Sequence, residues 1–343
     1  MHEWEWVEAI AHMAGPPPEY VHATWQEDAT VGRWPDRTWW VCSVDQLIEG
    51  VHFRRCWAPL DDWGTKAVLR SVSDLWVKGA RPRLLWIALQ VPPEGTPQEA
   101  RTLYRGIVRA CRRMGVYLTG GDTSRGPVWA MACTVIGSTR HPVLRFGARI
   151  GDRVWLTGPT GWAAAGVHLF ERWRHLNLET PLITAWRTIV HRHDPWPASY
   201  HPWIRRALQA IVRPRLPVRF RSWMQQYGHA SIDVSDGLLI DLWRVLRVNH
   251  LAAEIDAAAM HPTVSFARLC HRLGVDPWQW ILTGGEDYAW IVVTAPDVPR
   301  PPYRGIRNIG RIIDGPPGEI RIRWPDGRTE RLVPSGWDHW NGK

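Results

Sequence analysis

Gly120-Gly121-Asp122-Thr123-Ser124-Arg125-Gly126-Pro127 is the stretch from which the rest of the chain can be placed. A short apolar run, Val116–Thr119, reads as a strand leading straight into it, and a helix-spaced segment, Glu99–Met114, stopped by Gly115, comes before that. Paired glycines let a backbone approach a ligand closely. The carboxylate, two hydroxyls and guanidinium that follow in one loop suit a hard cation beside phosphate oxygens. A polar hairpin turn is the plain alternative. Upstream, Thr38–Val44 and Leu84–Val91 read as strands, and Trp63–Lys78 as a helix with Val68, Leu69, Val72, Leu75 and Trp76 on one stripe. Trp129–Gly137 is a further strand, and Arg145–Asp152 breaks the pattern. Beyond it come a strand at Arg153–Thr157, a helix at Trp162–Arg172, a strand at Ser231–Val234 and a helix from Gly237 to Asn249. Ala252–Ile255, Ala289–Thr294 and Ile306–Ile313 complete the strands, while Asn177–Gly228 is left irregular. The repeated strand–helix rhythm predicts two α/β domains, 1–147 and 148–343.

Three more motifs place acids beside apolar segments. In Asp233-Val234-Ser235-Asp236-Gly237, with Asp241 one turn on, a strand ends and a helix begins. Such a start has free N–H groups for an anion, although Ser235 or Asp236 as an N-cap explains either residue alone. Thr283-Gly284-Gly285-Glu286-Asp287-Tyr288 again joins glycines to paired acids, with an ordinary turn as the alternative. A looser set comprises Asp28, Ser43 and Asp45 at a strand end, His52, and Asp74 inside an apolar helix. An unpartnered carboxylate at Asp74 is costly, so a metal or a basic partner is expected there. Taken alone, His52 reads better as a satisfied core histidine. His191-Arg192-His193 has metal-binding side chains but suits a surface position better.

Composition narrows the function classes. Nearly half the 343 residues are apolar, enough to bury a core, and no apolar run reaches the length of a membrane span. Met1–Ile10 lacks the basic-then-apolar order of a secretory signal, so a cytoplasmic protein is expected, with no membrane partner. Five scattered cysteines form no CxxC pair, which argues against zinc and disulfides. The net charge of +9 rests on arginine, because only Lys66, Lys78 and Lys343 are lysines. Those arginines are spread along the chain, so anionic small ligands are expected and nucleic acid is not. No GxxxxGK[ST] loop, GxSxG elbow, HExxH helix or protein-kinase motif set is present.

Taken in order, the motifs resemble the thiamine-monophosphate kinase family, within the superfamily built like aminoimidazole ribonucleotide synthetase. The resemblance runs from Glu27 to Trp340 and includes Gly120–Pro127, Val51-His52-Phe53, Ser73-Asp74-Leu75, Asp233–Asp241, Gly284–Tyr288 and Gly336-Trp337-Asp338-His339. It implies a two-domain α/β (α+β) fold. The N-terminal ATP- and magnesium-binding domain would carry a dimer-forming sheet, and the C-terminal domain would complete the nucleotide and substrate site. It further implies a homodimer that transfers the ATP γ-phosphate directly to thiamine monophosphate with several Mg²⁺ ions. By position, the resemblance assigns Asp28, Ser43, Asp45, Asp74, Asp122, Asp233 and Asp236 to metal. It assigns Tyr104, Gly121, Asp122, Arg145 and Ser235 to ATP, and His52, Glu286 and Trp337 to thiamine monophosphate. No side chain is assigned to covalent catalysis.

The chain departs from the family at Gln26-Glu27-Asp28 (Gly-Asp-Asp), Ser43-Val44-Asp45-Gln46 (Ser-Thr-Asp-Thr), Trp162 (Asp) and Asp194 (Arg). These keep two alternatives open: a phosphotransferase of this fold with another acceptor, and a nucleotide-binding relative without catalysis.

Overall fold

Alternation along Trp39–Ile48 sets up the first layer: Val41, Ser43 and Leu47 are buried, while Val44, between them, is 66% exposed. A computed structural model describes residues 3–337 apart from Asn177 and Pro302. The chain opens with helix α1 (Glu3–Ala14), then β1 (Val21–Ala23), β2 (Thr30–Arg33), β3 (Trp39–Ile48), α2 (Leu60–Val77) and β4 (Arg81–Val91). α3 (Pro97–Met114), β5 (Tyr117–Arg125) and β6 (Ala130–Thr139) complete the first half. Its six strands form one sheet in the order β1-β2-β3-β6-β4-β5.

α2 lies against β3 and β6, and α3 packs on α2. α3 starts at a capping box, with the Thr96 hydroxyl accepting from the Glu99 N–H and the Glu99 carboxylate accepting from the Thr96 N–H. It ends at Gly115, whose φ of 69° suits a residue without Cβ. Val68, Val72 and Leu75 of α2 are fully buried, each contributing about 1.5–3 kcal/mol of apolar burial. The opposite sheet face is open. It presents Val44 and Leu84, with Trp86 and Ile136 half-buried, and Tyr117 on the edge strand β5 is 71% exposed.

The second half contains β7 (Arg153–Leu156), α4 (Trp162–Trp173), α5 (Leu182–Thr188), α6 (His201–Val212), α7 (Arg221–Tyr227), β8 (Gly228–Val234) and α8 (Leu238–Asn249). β9 (Ala252–Asp256), α9 (Val264–Leu273), α10 (Pro277–Thr283), β10 (Ala289–Thr294), β11 (Arg307–Ile313), β12 (Ile320–Arg323) and β13 (Thr329–Leu332) follow. These strands form a seven-stranded sheet, β13-β12-β9-β11-β7-β10-β8. Every residue of β10 is buried, because the sheet is covered on both faces. α8 packs its Leu238, Leu242 and Val245 on one face, while Phe220, Trp223 and Met224 meet Trp155 and Trp290 on the other.

Several sequence expectations are corrected. Gly120–Arg125 is not a loop; it continues β5, pairing in parallel with β4 from Trp86 to Val91. Ser43 and Asp45 lie inside β3 rather than at its end. The stretch expected to be irregular holds α5, α6, α7 and one π-helical turn, Ile189–His193. Prolines at helix starts and frequent arginines masked the apolar stripe Ile204, Ala207, Leu208, Ile211 and Val212 of α6. α2 is buried on nearly all sides because it also packs on β8, so its polar Lys66, Ser71 and Ser73, and Lys78 just past its end, are enclosed.

Candidate phosphate and metal cleft

A cleft of about 770 Å³ opens where α2, β3 and the loop before β2 meet the β8–α8 junction, with α1 forming one wall. Asp28, Asp45, Asp74, Arg145, Asp233, Ser235 and Asp236 all line it. Each acid is placed by a different element. Asp45 is partly buried in β3, Asp74 projects from α2 one residue past Ser73, and Asp233 is the last residue but one of β8.

The centre of the cleft is poor in positive charge. The Ser43 hydroxyl donates to Asp74 at 2.5 Å, and the Ser73 hydroxyl donates to Asp233 at 2.5 Å. Among the described residues neither carboxylate has an ion-pair partner. Burial first, then Asp233, Asp45 and Asp28, push the Asp74 carboxyl well above the usual carboxylate range against the opposing Ser43 hydrogen bond. Burial and Asp28 likewise push Asp233 up to about 8. Two acids that resist ionisation side by side are a poor fit to the bare protein and a good fit to a divalent cation.

The flanks are neutralised. Arg70 Nε binds Asp45 at 2.9 Å, and Arg70 Nη1 binds Glu286 at 3.2 Å. Lys66 Nζ lies 2.6 Å from Glu286. Burial pushes the Glu286 carboxyl up, but Lys66 and then Arg70 outweigh it and hold the group at about 2. Arg244 binds both Asp236 and Asp241 at 2.6 Å. The N–H groups of the turn leading into α8 are taken by the chain itself, because Asp241 folds back and accepts from Ser235, Asp236 and Gly237. At the remaining end, Arg145 contacts Asp28 and Glu27, and Lys78 Nζ stands 2.8 Å from each of the same two carboxylates. With Asp45 and Asp236 turned towards arginines, no three ligating groups among the described residues converge on one point. The acids nevertheless fit Mg²⁺, because Asp74 and Asp233 are aimed into the cleft with only hydroxyls as partners.

Other expected residues lie nearby or apart. His52 Nδ1 accepts from the Ile48 N–H at 3.0 Å, which satisfies that ring nitrogen. The Trp337 N–H donates to the Asp236 carbonyl at 2.8 Å, which ties the chain end to the cleft; Asp338 and His339 lie outside the described residues. Tyr104, Gly121 and Asp122 are not brought together with the acids. Tyr104 is half-buried on α3, and Gly121 and Asp122 sit exposed on edge strand β5. Register places Asp45 opposite Cys133, Cys133 opposite Ile87 and Ile87 opposite Gly121. That is three strand spacings, roughly 14 Å.

The departures at Trp162 and Asp194 fall outside the cleft lining. Trp162 is buried at the start of α4 under the Arg206 guanidinium, 4.0 Å away, while Asp287 accepts from the Gly161 and Ala163 N–H groups. Asp194 is held by Arg172 and the Trp173 indole. His191, Arg192 and His193 are exposed. Sequence reasoning missed Lys66, Arg70, Lys78, Arg244 and α1. Only the two internal lysines carried a signal, standing alone in a chain that otherwise uses arginine.

Comparison with known proteins places the geometry in a wider set. Residues 26–139 match the family model described as the N-terminal domain of AIR synthase related protein. A thiamine-monophosphate kinase of Mycobacterium tuberculosis is 32% identical over 280 residues, covering 80% of this chain and 75% of that protein. The solved structure of thiamine monophosphate kinase from Aquifex aeolicus superposes with a TM-score of 0.77 at 25% identity, covering 96% of this chain and 99% of that one. A structure described as AaThiL complexed with AMPPCP and TMP shares the fold at a TM-score of 0.83, with 24% identity over 98% of this chain and 97% of that one.

Proposed function

From its place in the thiamine-monophosphate kinase family, to which the chain belongs, we infer that it transfers the ATP γ-phosphate directly onto thiamine monophosphate, giving thiamine diphosphate. The observation that carries this reading to the site is the Asp74–Asp233 pair, two carboxylates lining the cleft that have serine hydroxyls and, among the described residues, no ion-pair partner. Mg²⁺ bound there supplies charge neutralisation for crowded phosphate oxygens. The chain's own residues do the rest by position. Ser43 and Ser73 orient the carboxylates, Arg70 and Arg244 hold Asp45 and Asp236 at the rim, and Asp241 fixes the Ser235–Gly237 turn. Arg145 and Ser235 line the nucleotide side. His52 and Glu286, the latter held ionised by Lys66 and then Arg70, belong in this reading to the thiamine monophosphate side, with Trp337 as an aromatic wall for the cationic thiazolium ring.

The domain division at 147/148 and a homodimer belong to the same reading. The first sheet closes before the second begins, and its bare face and unpaired edge β5 suit a second copy of the chain. Asp122 and Gly121, too distant from Asp45 in their own chain, then complete the cleft of that second copy.

The test is direct. Purified protein with ATP, Mg²⁺ and thiamine monophosphate forms thiamine diphosphate and ADP, and chelating the metal stops it. Folded, nucleotide-binding protein that forms no thiamine diphosphate but phosphorylates another acceptor would overturn the substrate assignment.

A further inference from the structure

Glu27 and Asp28 differ from the other cleft acids in having all four carboxylate oxygens engaged by the chain's own groups. Arg145 takes Asp28 Oδ1 with its side chain and Glu27 Oε1 with its backbone N–H. Lys78 Nζ takes Glu27 Oε2 and Asp28 Oδ2, 2.8 Å from each. A third oxygen, the Ser231 carbonyl, accepts from the same ammonium at 2.7 Å. The contacts to the two carboxylates are ionic rather than directed hydrogen bonds, as for a point cation set among oxygens. Two negative charges thus face two positive ones.

The lysine is held where it is. Lys78 follows the last residue of α2, is 0% exposed and has the buried Val77 and Ala80 as neighbours. Moving it aside would leave an ammonium buried without a partner. Lysine is also rare here. Among the described residues it occurs only at 66 and 78, both 0% exposed and both against carboxylates at the cleft. An arginine could not serve in the same way, because its planar fork cannot gather three oxygens around one small centre.

We propose that the Lys78 ammonium is a resident cation, occupying between Glu27 and Asp28 the place a divalent ion would otherwise take. This end of the cleft is balanced by the chain itself, and divalent ions are confined to the part around Asp74 and Asp233. The inference rests on the reading of the cleft as a Mg²⁺ site, and its test separates the two.

Mn²⁺ bound per chain is counted by electron paramagnetic resonance titration, in the presence of a non-hydrolysable ATP analogue and thiamine monophosphate, for the parent protein and for Lys78→Met. The variant, similar in size but uncharged, is expected to bind one more ion per chain. Equal stoichiometry in two folded proteins overturns the proposal. Where Lys78→Met fails to fold, Glu27→Gln decides: an unchanged ion count supports the resident cation, and the loss of one ion overturns it. Absence of Mn²⁺ binding to any of these proteins overturns the metal reading and the proposal together.

Discussion

At the scale of single residues, the cleft is a set of carboxylates sorted by what neutralises them. Asp45, Asp236 and Glu286 have arginine or lysine partners, whereas Asp74 and Asp233 have only serine hydroxyls. Keeping Asp74 unneutralised in this place costs stability that only a cation returns. Asp74→Asn is therefore expected to melt at the same or a higher temperature than the parent in chelator, by calorimetry. Its Mg²⁺-dependent turnover should fall by about 100-fold or more. A variant that loses stability without losing turnover would assign Asp74 a structural role. The sequence predicts a metal or a basic partner for Asp74; among the described residues the structure gives it a serine hydroxyl and no basic partner. What the sequence did not disclose was that the basic groups available nearby, Arg70 and Lys78, are aimed at other acids.

At the scale of elements, α3 tests how far local chemistry governs stability. Its capping box satisfies two backbone N–H groups, so Thr96→Ala should lower stability by about 1 kcal/mol while leaving turnover intact. Urea denaturation with an unchanged m-value checks this. Elements of this kind were legible, because α2, α3, β4, β10 and α8 carry their periodicity and their stop residues in the chain itself. Those that were not legible take their form from neighbours. Gly120–Arg125 has the composition of a turn and becomes strand because β4 pairs with it. Gly121 makes this possible, since a Cβ there would overlap the Ile87 carbonyl. The short helices between 177 and 228 were hidden for the related reason that packing, rather than propensity, stabilises them.

At the scale of the whole molecule, one sheet is covered on both faces and the other on one, so the first half carries a surface the second lacks. If β5 completes the cleft of another copy, two inactive variants should rescue each other. Mixing Asp74→Asn with Asp122→Asn, after unfolding and joint refolding, should restore roughly a quarter of the parental turnover by random pairing. No recovery, or a single-chain mass by light scattering, would place Asp122 outside any shared site. The lysines have a consequence for the molecule as a whole. With Lys66 and Lys78 enclosed and positive charge otherwise held by arginine, the described surface has no primary amine on a side chain. Across the described residues, acetylating enzymes and amine-directed labels therefore meet no lysine on the surface, and the charge there is held by a group that lysine acylation does not reach.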